Sequence, residues 1–369
     1  MSAKCFTPEA LGPLRDWLVN KLPGLNDIEI TSHASPGAGK SAETILFDVQ
    51  GNANGSRKRV ELVLRCQMEG MELFLNADLR WQYRVVEALS AFSRIAVPEL
   101  LGIEMDRSVL GVPFFVMKRM PGRVLPQVPN YNLSGWLVDL APAERERVWL
   151  NNVEAIAAVH RLAWRNGFEF MGQLDAGAPG LEQYLNHIAR WLDWAADGDE
   201  QPTIREALDW LGRNRPAAAP VGLLWGDPTP ANTLFGPDLR VTALLDWEMA
   251  CLGPGEIDLA WFLMFDSFYS RLRGVSRLPG LPDRAQIISA YEQAAGRRVD
   301  NIEYYEILAL VRFAIIFIRA SANFTARNQG EIIDAHTHNP LTAEIARRLS
   351  LPVPQPGDGW NRLMSPRHN

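Results

Sequence analysis

The chain has 369 residues, 47% of them apolar, enough to bury a sizeable core, and its length favours two domains or lobes over one. Its 37 Lys and Arg against 43 Asp and Glu leave a formal charge of -6, which excludes a disordered polyelectrolyte and argues against a nucleic-acid binder. Three cysteines, Cys5, Cys66 and Cys251, lie far apart, so neither a disulfide framework nor a zinc site is suggested and a reducing cytoplasm fits best.

In chain order, the N-terminal stretch carries Glu9, Arg15, Asp16 and Lys21 and predicts an amphipathic helix, not a signal peptide. Residues 28–33 and 44–50 predict two strands joined by a turn containing Gly and Ser. The polar run 51–58 predicts a second turn, and 60–66 (VELVLRC) a third strand. Residues 73–91 predict a helix with Leu79, Tyr83, Val86 and Leu89 on one face. Residues 109–120 (VLGVPFFVMKRM) predict another hairpin, closed by Pro121-Gly122.

Beyond that point the periodicity is helical over 144–164, 181–196 and 203–214. Short apolar segments at 222–224 and 241–245 break it, so 221–262 predicts a compact hairpin-like insert whose loops are suited to carry chemistry. Residues 307–318 are apolar but interrupted by Arg312 and followed by Arg319. They fall short of the roughly 20 apolar residues of a membrane span and predict a buried helix. The expectation is an α+β chain with an N-terminal lobe over 1–118, built on a small antiparallel sheet with a helix, and a mainly helical lobe over 119–369.

Residues 223–247 read LLWGDPTPANTLFGPDLRVTALLDW, with Asp227, then Asn232 five residues on, then Asp246 fourteen later at the end of an apolar strand. Phosphoryl transfer needs a carboxylate to orient the attacking hydroxyl and accept its proton. It also needs oxygen ligands for the magnesium that bridges the nucleotide phosphates. Magnesium takes hard oxygen donors, so one carboxylate and one amide carbonyl beside the phosphates suffice. By themselves, Asp227 and Asn232 fit a capped turn equally well.

The stretch resembles the catalytic loop and metal aspartate of the aminoglycoside/choline kinase-like phosphotransferases. The likeness continues in HRL at 160–162, VLGVPFFVMKRMPG at 109–122, ACLGPGEIDLAWF at 250–262 and YEQAAGRRVDNIEYYE at 291–306. These segments are similar to the branch related to the kinase-like domain of acyl-CoA dehydrogenase family member 10. The resemblance implies a protein-kinase-like two-lobed fold and transfer of the γ-phosphate of ATP, with Mg2+, to a hydroxyl of a small molecule. It implies Asp227 as catalytic base, Asn232 and Asp246 as magnesium ligands, and Asp258 as a buried carboxylate bracing the loop. ATP would lie in a cleft, its adenine at a hinge near Met117 and its phosphates under a turn containing Gly37, Gly39 and Ser41. Nucleic acid and membrane are not expected as partners.

Three departures from the family pattern stand out. The loop opens Trp225-Gly226-Asp227 where the family has His-Gly-Asp, and an indole can fill the histidine's volume and donate one hydrogen bond. Arg65 stands where the family has the phosphate-contacting lysine of the third strand, and Gln82 where it has the glutamate that pairs with it. Arginine can fork between phosphate oxygens and glutamine can accept a hydrogen bond, so the two changes make joint sense. Together the departures motivate an alternative reading, a nucleotide-binding pseudokinase that no longer transfers phosphate.

Other features have plainer readings. PGAGKS at 36–41 fails as a Walker A loop, because Ala34 stands where its first glycine should be and a strand follows in place of a helix. His160 reads as a satisfied core residue, and His336 and His338 as a polar loop without a third metal ligand. The tryptophans of 190–194 (RWLDW) and Trp210 could wall a cationic substrate, though helix packing explains them more simply.

Overall fold

A computed structural model of the chain describes residues 6–34, 42–67, 70, 72–75, 78–173, 175–326, 336–355, 357 and 359–360. It divides into two compact units, Met1–Pro121 and Gly122–Asn369.

The first unit holds α1 (Pro8–Val19), β1 (Asn26–Ala34), β2 (Ala42–Ala53), β3 (Ser56–Gln67), α2 (Leu79–Phe92), β4 (Leu100–Glu104) and β5 (Phe114–Lys118). The strands form one antiparallel sheet in the order β1-β2-β3-β5-β4. Side chains alternate across a strand, so Leu62, Leu64 and Cys66 of β3 join Ile45, Phe47 and Val49 in a core closed by Leu14 and Leu18 of α1. The same alternation puts Val63 and Arg65 on the opposite face, where Tyr83 of α2 meets Phe115 with ring centroids 6.0 Å apart.

Two boundaries differ from the sequence reading. The polar run 51–58 is mostly strand, and the turn shrinks to Asn54-Gly55, both at positive φ (52° and 75°), as a two-residue hairpin requires. Its charged side chains lie outside the core, where Arg57 pairs with Glu29 of β1, as the next arginine, Arg59, does with Asp48 of β2. The last hairpin joins 100–104 to 114–118, and residues 109–113 belong to its loop, not to a strand. Leu110 still buries itself there, so the apolar run that suggested a strand is a tucked loop. The helix starts at Leu79, not at 73, because the Asp78 carboxylate accepts from the Arg80 N–H at 2.8 Å and caps it.

The second unit is mainly helical: α3 (Pro142–His160), α4 (Leu181–Ala196), α5 (Pro202–Arg213), α6 (Glu256–Phe268), α7 (Arg284–Ala295), α8 (Ile302–Ala326) and α9 (Pro340–Leu349). Helix α8 is long and apolar enough to cross a membrane, with a mean hydropathy of 1.8, yet two-thirds of its apolar window is buried inside the unit. It packs against α4, α5, α6 and α9, the arrangement of a core helix. Trp191 is fully buried, Trp194 lies under the Arg319 guanidinium at 4.3 Å, and Trp210 packs on Tyr304 at 5.9 Å. Helix packing therefore accounts for all three tryptophans.

Four short strands form the predicted insert: β6 (Gly222–Leu224), β7 (Thr233–Phe235), β8 (Val241–Leu244) and β9 (Cys251–Gly253). The pairing is nested, with β7 on β8 and β6 on β9. Two loops, 225–232 and 245–250, therefore run from the outer ladder to the inner one and back. Antiparallel pairing forces them side by side.

Candidate active site

Both loops hold candidate residues, and the nested pairing brings them together. Asn232 immediately precedes β7 and Leu245 immediately follows β8. The Leu245 N–H donates to the Asn232 carbonyl at 2.8 Å, which extends the ladder by one rung and brings the backbone of Asp246 near that of Asn232. Asp246 has a φ of 58°, a left-handed conformation that aspartate tolerates better than most residues. The chain leaves the line of β8 at that residue.

Asp227 is half-buried, and each of its carboxylate oxygens accepts a hydrogen bond. Trp261 Nε1 donates to Oδ1 at 2.7 Å, and Asn232 Nδ2 donates to Oδ2 at 2.7 Å. Removal from water raises the Asp227 carboxyl to about 6, with Asp246 pushing it up further and Trp261, Arg312 and Asn232 pulling it back down. A carboxyl so placed is ionised at neutral pH and basic enough to take a proton. The Asn232 amide nitrogen is turned to a carboxylate, so its Oδ1 faces away and accepts from no described residue. That leaves a hard oxygen on Asn232, which with the Asp246 carboxylate would make a donor pair suited to magnesium.

The loop is braced from below. Asp258 is fully buried in the first turn of α6, and it accepts from the backbone N–H groups of Trp225 (2.8 Å) and Gly226 (3.1 Å). His160 Nε2 lies 3.0 Å from the same carboxylate, and its Nδ1 lies 2.7 Å from the Tyr291 hydroxyl. Asp258 thus meets three donors, as a buried carboxylate must. His160 has a supporting place and no contact with Asp227 among the described residues. Trp225 is fully buried, and its indole Nε1 donates to the Leu245 carbonyl at 2.8 Å. The ring that replaces histidine therefore ties one loop to the other.

Gly226 admits no side chain. Its φ is 91°, and a Cβ there would stand 2.1 Å from the Met249 carbonyl oxygen. The two loops touch backbone to backbone at this point.

In the first unit, Arg65 and Gln82 are both buried and do meet, with Arg65 Nη2 3.5 Å from Gln82 Oε1. A closer partner is Thr44 on the neighbouring strand, whose hydroxyl accepts from Arg65 Nη1 at 2.9 Å. Met117 lies in β5 opposite Val63 and Leu100. Gly37, Gly39 and Ser41 lie outside the described residues.

Two residues of the site escaped the sequence reading. Trp261 follows Asp258 by three positions on α6 and so shares its helix face, a spacing that could have flagged it. Arg312 was legible only as a charge inside an apolar run, which is itself a signal, since buried arginines require partners.

The sequence profile described as "Phosphotransferase enzyme family" matches residues 61–299, well over half of the chain. Among curated proteins, "Probable acyl-CoA dehydrogenase IBR3" of Arabidopsis thaliana is 28% identical over 360 residues, which cover 87% of this chain and 40% of that protein. "Acyl-CoA dehydrogenase family member 11" of Rattus norvegicus is 25% identical over 355 residues, covering 89% of this chain and 44% of that protein. The chain thus spans less than half the length of these relatives. Among solved structures, a Ralstonia eutropha protein provisionally named an aminoglycoside phosphotransferase superposes with a TM-score of 0.67 at 24% identity, covering 95% of this chain and 97% of its own. A thermostable aminoglycoside phosphotransferase in ternary complex with AMP-PNP and hygromycin B superposes at 0.52 with 17% identity, covering 91% and 99%. These neighbours share the α+β, kinase-like fold expected from the sequence. With its family profile matched across both loops of the site, the chain belongs to the phosphotransferase enzyme family.

Proposed function

We propose that this chain transfers the γ-phosphoryl group of ATP to a hydroxyl of a small molecule, with Asp227 as the base. The observation that carries the reading is the pair of hydrogen bonds on Asp227. Trp261 and Asn232 each occupy one direction at one oxygen, so the ionised carboxylate is held in place while retaining lone pairs for a substrate proton. The acceptor hydroxyl gives its proton to Asp227 as its oxygen bonds to the γ-phosphorus. The bond to the β–γ bridging oxygen breaks, and ADP leaves with that electron pair.

Asn232 Oδ1 and the Asp246 carboxylate would hold Mg2+, which supplies charge neutralisation for the phosphates. Arg65 is read as the nucleotide-phosphate contact of the first unit, steadied by Thr44 and Gln82. A neighbour in the fold binds AMP-PNP and hygromycin B, which supports a nucleotide and a small hydroxylated acceptor here. The acceptor itself is not fixed by fold or family.

The pseudokinase alternative draws on Trp225, Arg65 and Gln82. Against it, Trp225 keeps a ring donor in use between the loops, Asn232 is hydrogen-bonded to Asp227, and Asp246 is near enough to raise the Asp227 carboxyl. Magnesium-dependent ATP turnover against a panel of alcohols, with Asp227→Asn as control, separates the two. Turnover that needs an acceptor and is lost in the variant supports transfer, whereas nucleotide binding without turnover on any acceptor supports the pseudokinase.

A further inference from the structure

A long, apolar and largely buried helix, α8, carries a cation at its centre. Arg312 lies in α8 among Ile307, Leu308, Val311, Ala314 and Ile315 and is 2% exposed. A guanidinium is retained out of water only where its charge and its donors are met. Among the described residues no carboxylate forms an ion pair with Arg312, and its Nε is buried without a hydrogen-bond partner.

Besides Tyr184 of α4, what it meets is the site. Nη2 donates to the Gly226 carbonyl, the residue before Asp227, and lies 3.0 Å from the Met249 sulfur, three residues past Asp246. The guanidinium carbon lies over the Trp261 ring, 3.9 Å from its centroid, and that indole is the donor to Asp227 Oδ1. One side chain therefore touches the loop of Asp227, the segment that follows Asp246, and the indole that orients the carboxylate. A space-filling role would be served by methionine or leucine at far lower cost of burial.

We propose that Arg312 is a positioning residue for phosphoryl transfer: it clamps the two loops of the site together and, through the Trp261 indole, fixes the direction of the Asp227 carboxylate. The contact with the ring holds it in the one plane from which Nε1 reaches Oδ1. The bond to the Gly226 carbonyl stops the loop from turning about its glycine. The inference rests on the reading of Asp227 as base, but the clamp has a signature that does not need it.

That signature is the indole resonance of Trp261 in the full chain labelled with 15N-tryptophan, assigned by its loss in Trp261→Phe. Arg312→Met, similar in length and uncharged, should move this resonance, and Asp227→Asn should move it too. In parallel, turnover of MgATP is followed with water as acceptor and with any alcohol that the screen yields, beside calorimetric binding of MgATP. Arg312→Met should lower kcat at least tenfold with the Kd for MgATP within twofold, and Arg312→Lys, which keeps charge but not the planar face, should recover only part of it. If Arg312→Met does not fold, Arg312→Lys carries the test, with a moved indole and a kcat loss of at least threefold. An unmoved indole with parental kcat in the variant that folds overturns the proposal. Should Asp227→Asn turn over normally while Arg312→Met still moves the indole, the base assignment fails and the clamp stands.

Discussion

Trp225 and Leu245 are joined by a hydrogen bond of 2.8 Å from the indole nitrogen to the backbone carbonyl, so the residue before Gly226-Asp227 is tied to the residue before Asp246. The indole is fully buried and the bond part-buried, and removing the donor deprives the Leu245 carbonyl of this partner. Trp225→Phe should cost about 0.5–1.5 kcal/mol of stability, the typical net worth of one hydrogen bond, and should lower turnover as the loops loosen. Trp225→His, which restores a ring donor, should recover part of the turnover. Urea unfolding and kinetics on the same preparations check both.

Gly226 is the tightest point of the site. An alanine there would need a φ of 91° and would place its Cβ 2.1 Å from the Met249 carbonyl oxygen, a clash with backbone that cannot rotate away. Gly226→Ala should therefore destabilise the chain by at least about 2 kcal/mol and abolish turnover. A stable, active Gly226→Ala protein would show that the loops are not packed as described.

Asp227 gives a pH dependence whose sign can be worked out. Its carboxyl is raised from 3.8 to about 6 by desolvation, so the folded state binds this proton more tightly than the unfolded chain does. Its protonated form is compatible with burial below pH 4, and stability is lost as pH rises from about 4 through 6. The loss is at most about 3 kcal/mol, since each tenfold difference in proton affinity between the folded and unfolded chain is worth roughly 1.4 kcal/mol. Asp227→Asn should flatten that part of the stability–pH curve, giving a protein more stable than the parent at pH 7 relative to pH 4.5. As base, Asp227 must be ionised, so kcat/KM should fall on the acid side with a midpoint near 6. Chemical unfolding and rate measurements from about pH 4.5 to about pH 8 test the two limbs separately.

The Arg65 arrangement refines what the sequence alone suggested. A contact of 3.5 Å to Gln82 is at the limit of a hydrogen bond, whereas Thr44 accepts at 2.9 Å. In double-mutant cycles on MgATP affinity, Arg65→Ala should couple to Thr44→Val by about 0.5–3 kcal/mol and to Gln82→Ala by less. Strict additivity in both cycles would remove these contacts from the nucleotide site.

The folding pattern was most legible where periodicity and burial coincide. Leu181–Ala196 and Gly222–Leu224 match the expected segments, because each sets a clear apolar period against polar or proline-bearing flanks. Where a strand runs out past the core, as at Arg57 and Lys58, side-chain composition says turn while the backbone ladder continues. The Asp-Asn-Asp spacing was readable because the loop between Asp227 and Asn232 is local. The contacts that complete the site were not, since Trp261 lies 34 residues from Asp227 and Arg312 lies 86 from Gly226. Local pattern could flag Trp261 and Arg312 as unusual, but which loop atoms they meet depends on how α6 and α8 pack.

The central claim is that Asp227 accepts the proton of the acceptor hydroxyl. It is tested most directly by measuring steady-state phosphoryl transfer and calorimetric MgATP binding on Asp227→Asn beside the parent protein. The expected result is a loss of kcat of at least about a hundredfold, the scale of general-base catalysis, with MgATP affinity nearly unchanged. Retention of most of kcat with the same acceptor would contradict it.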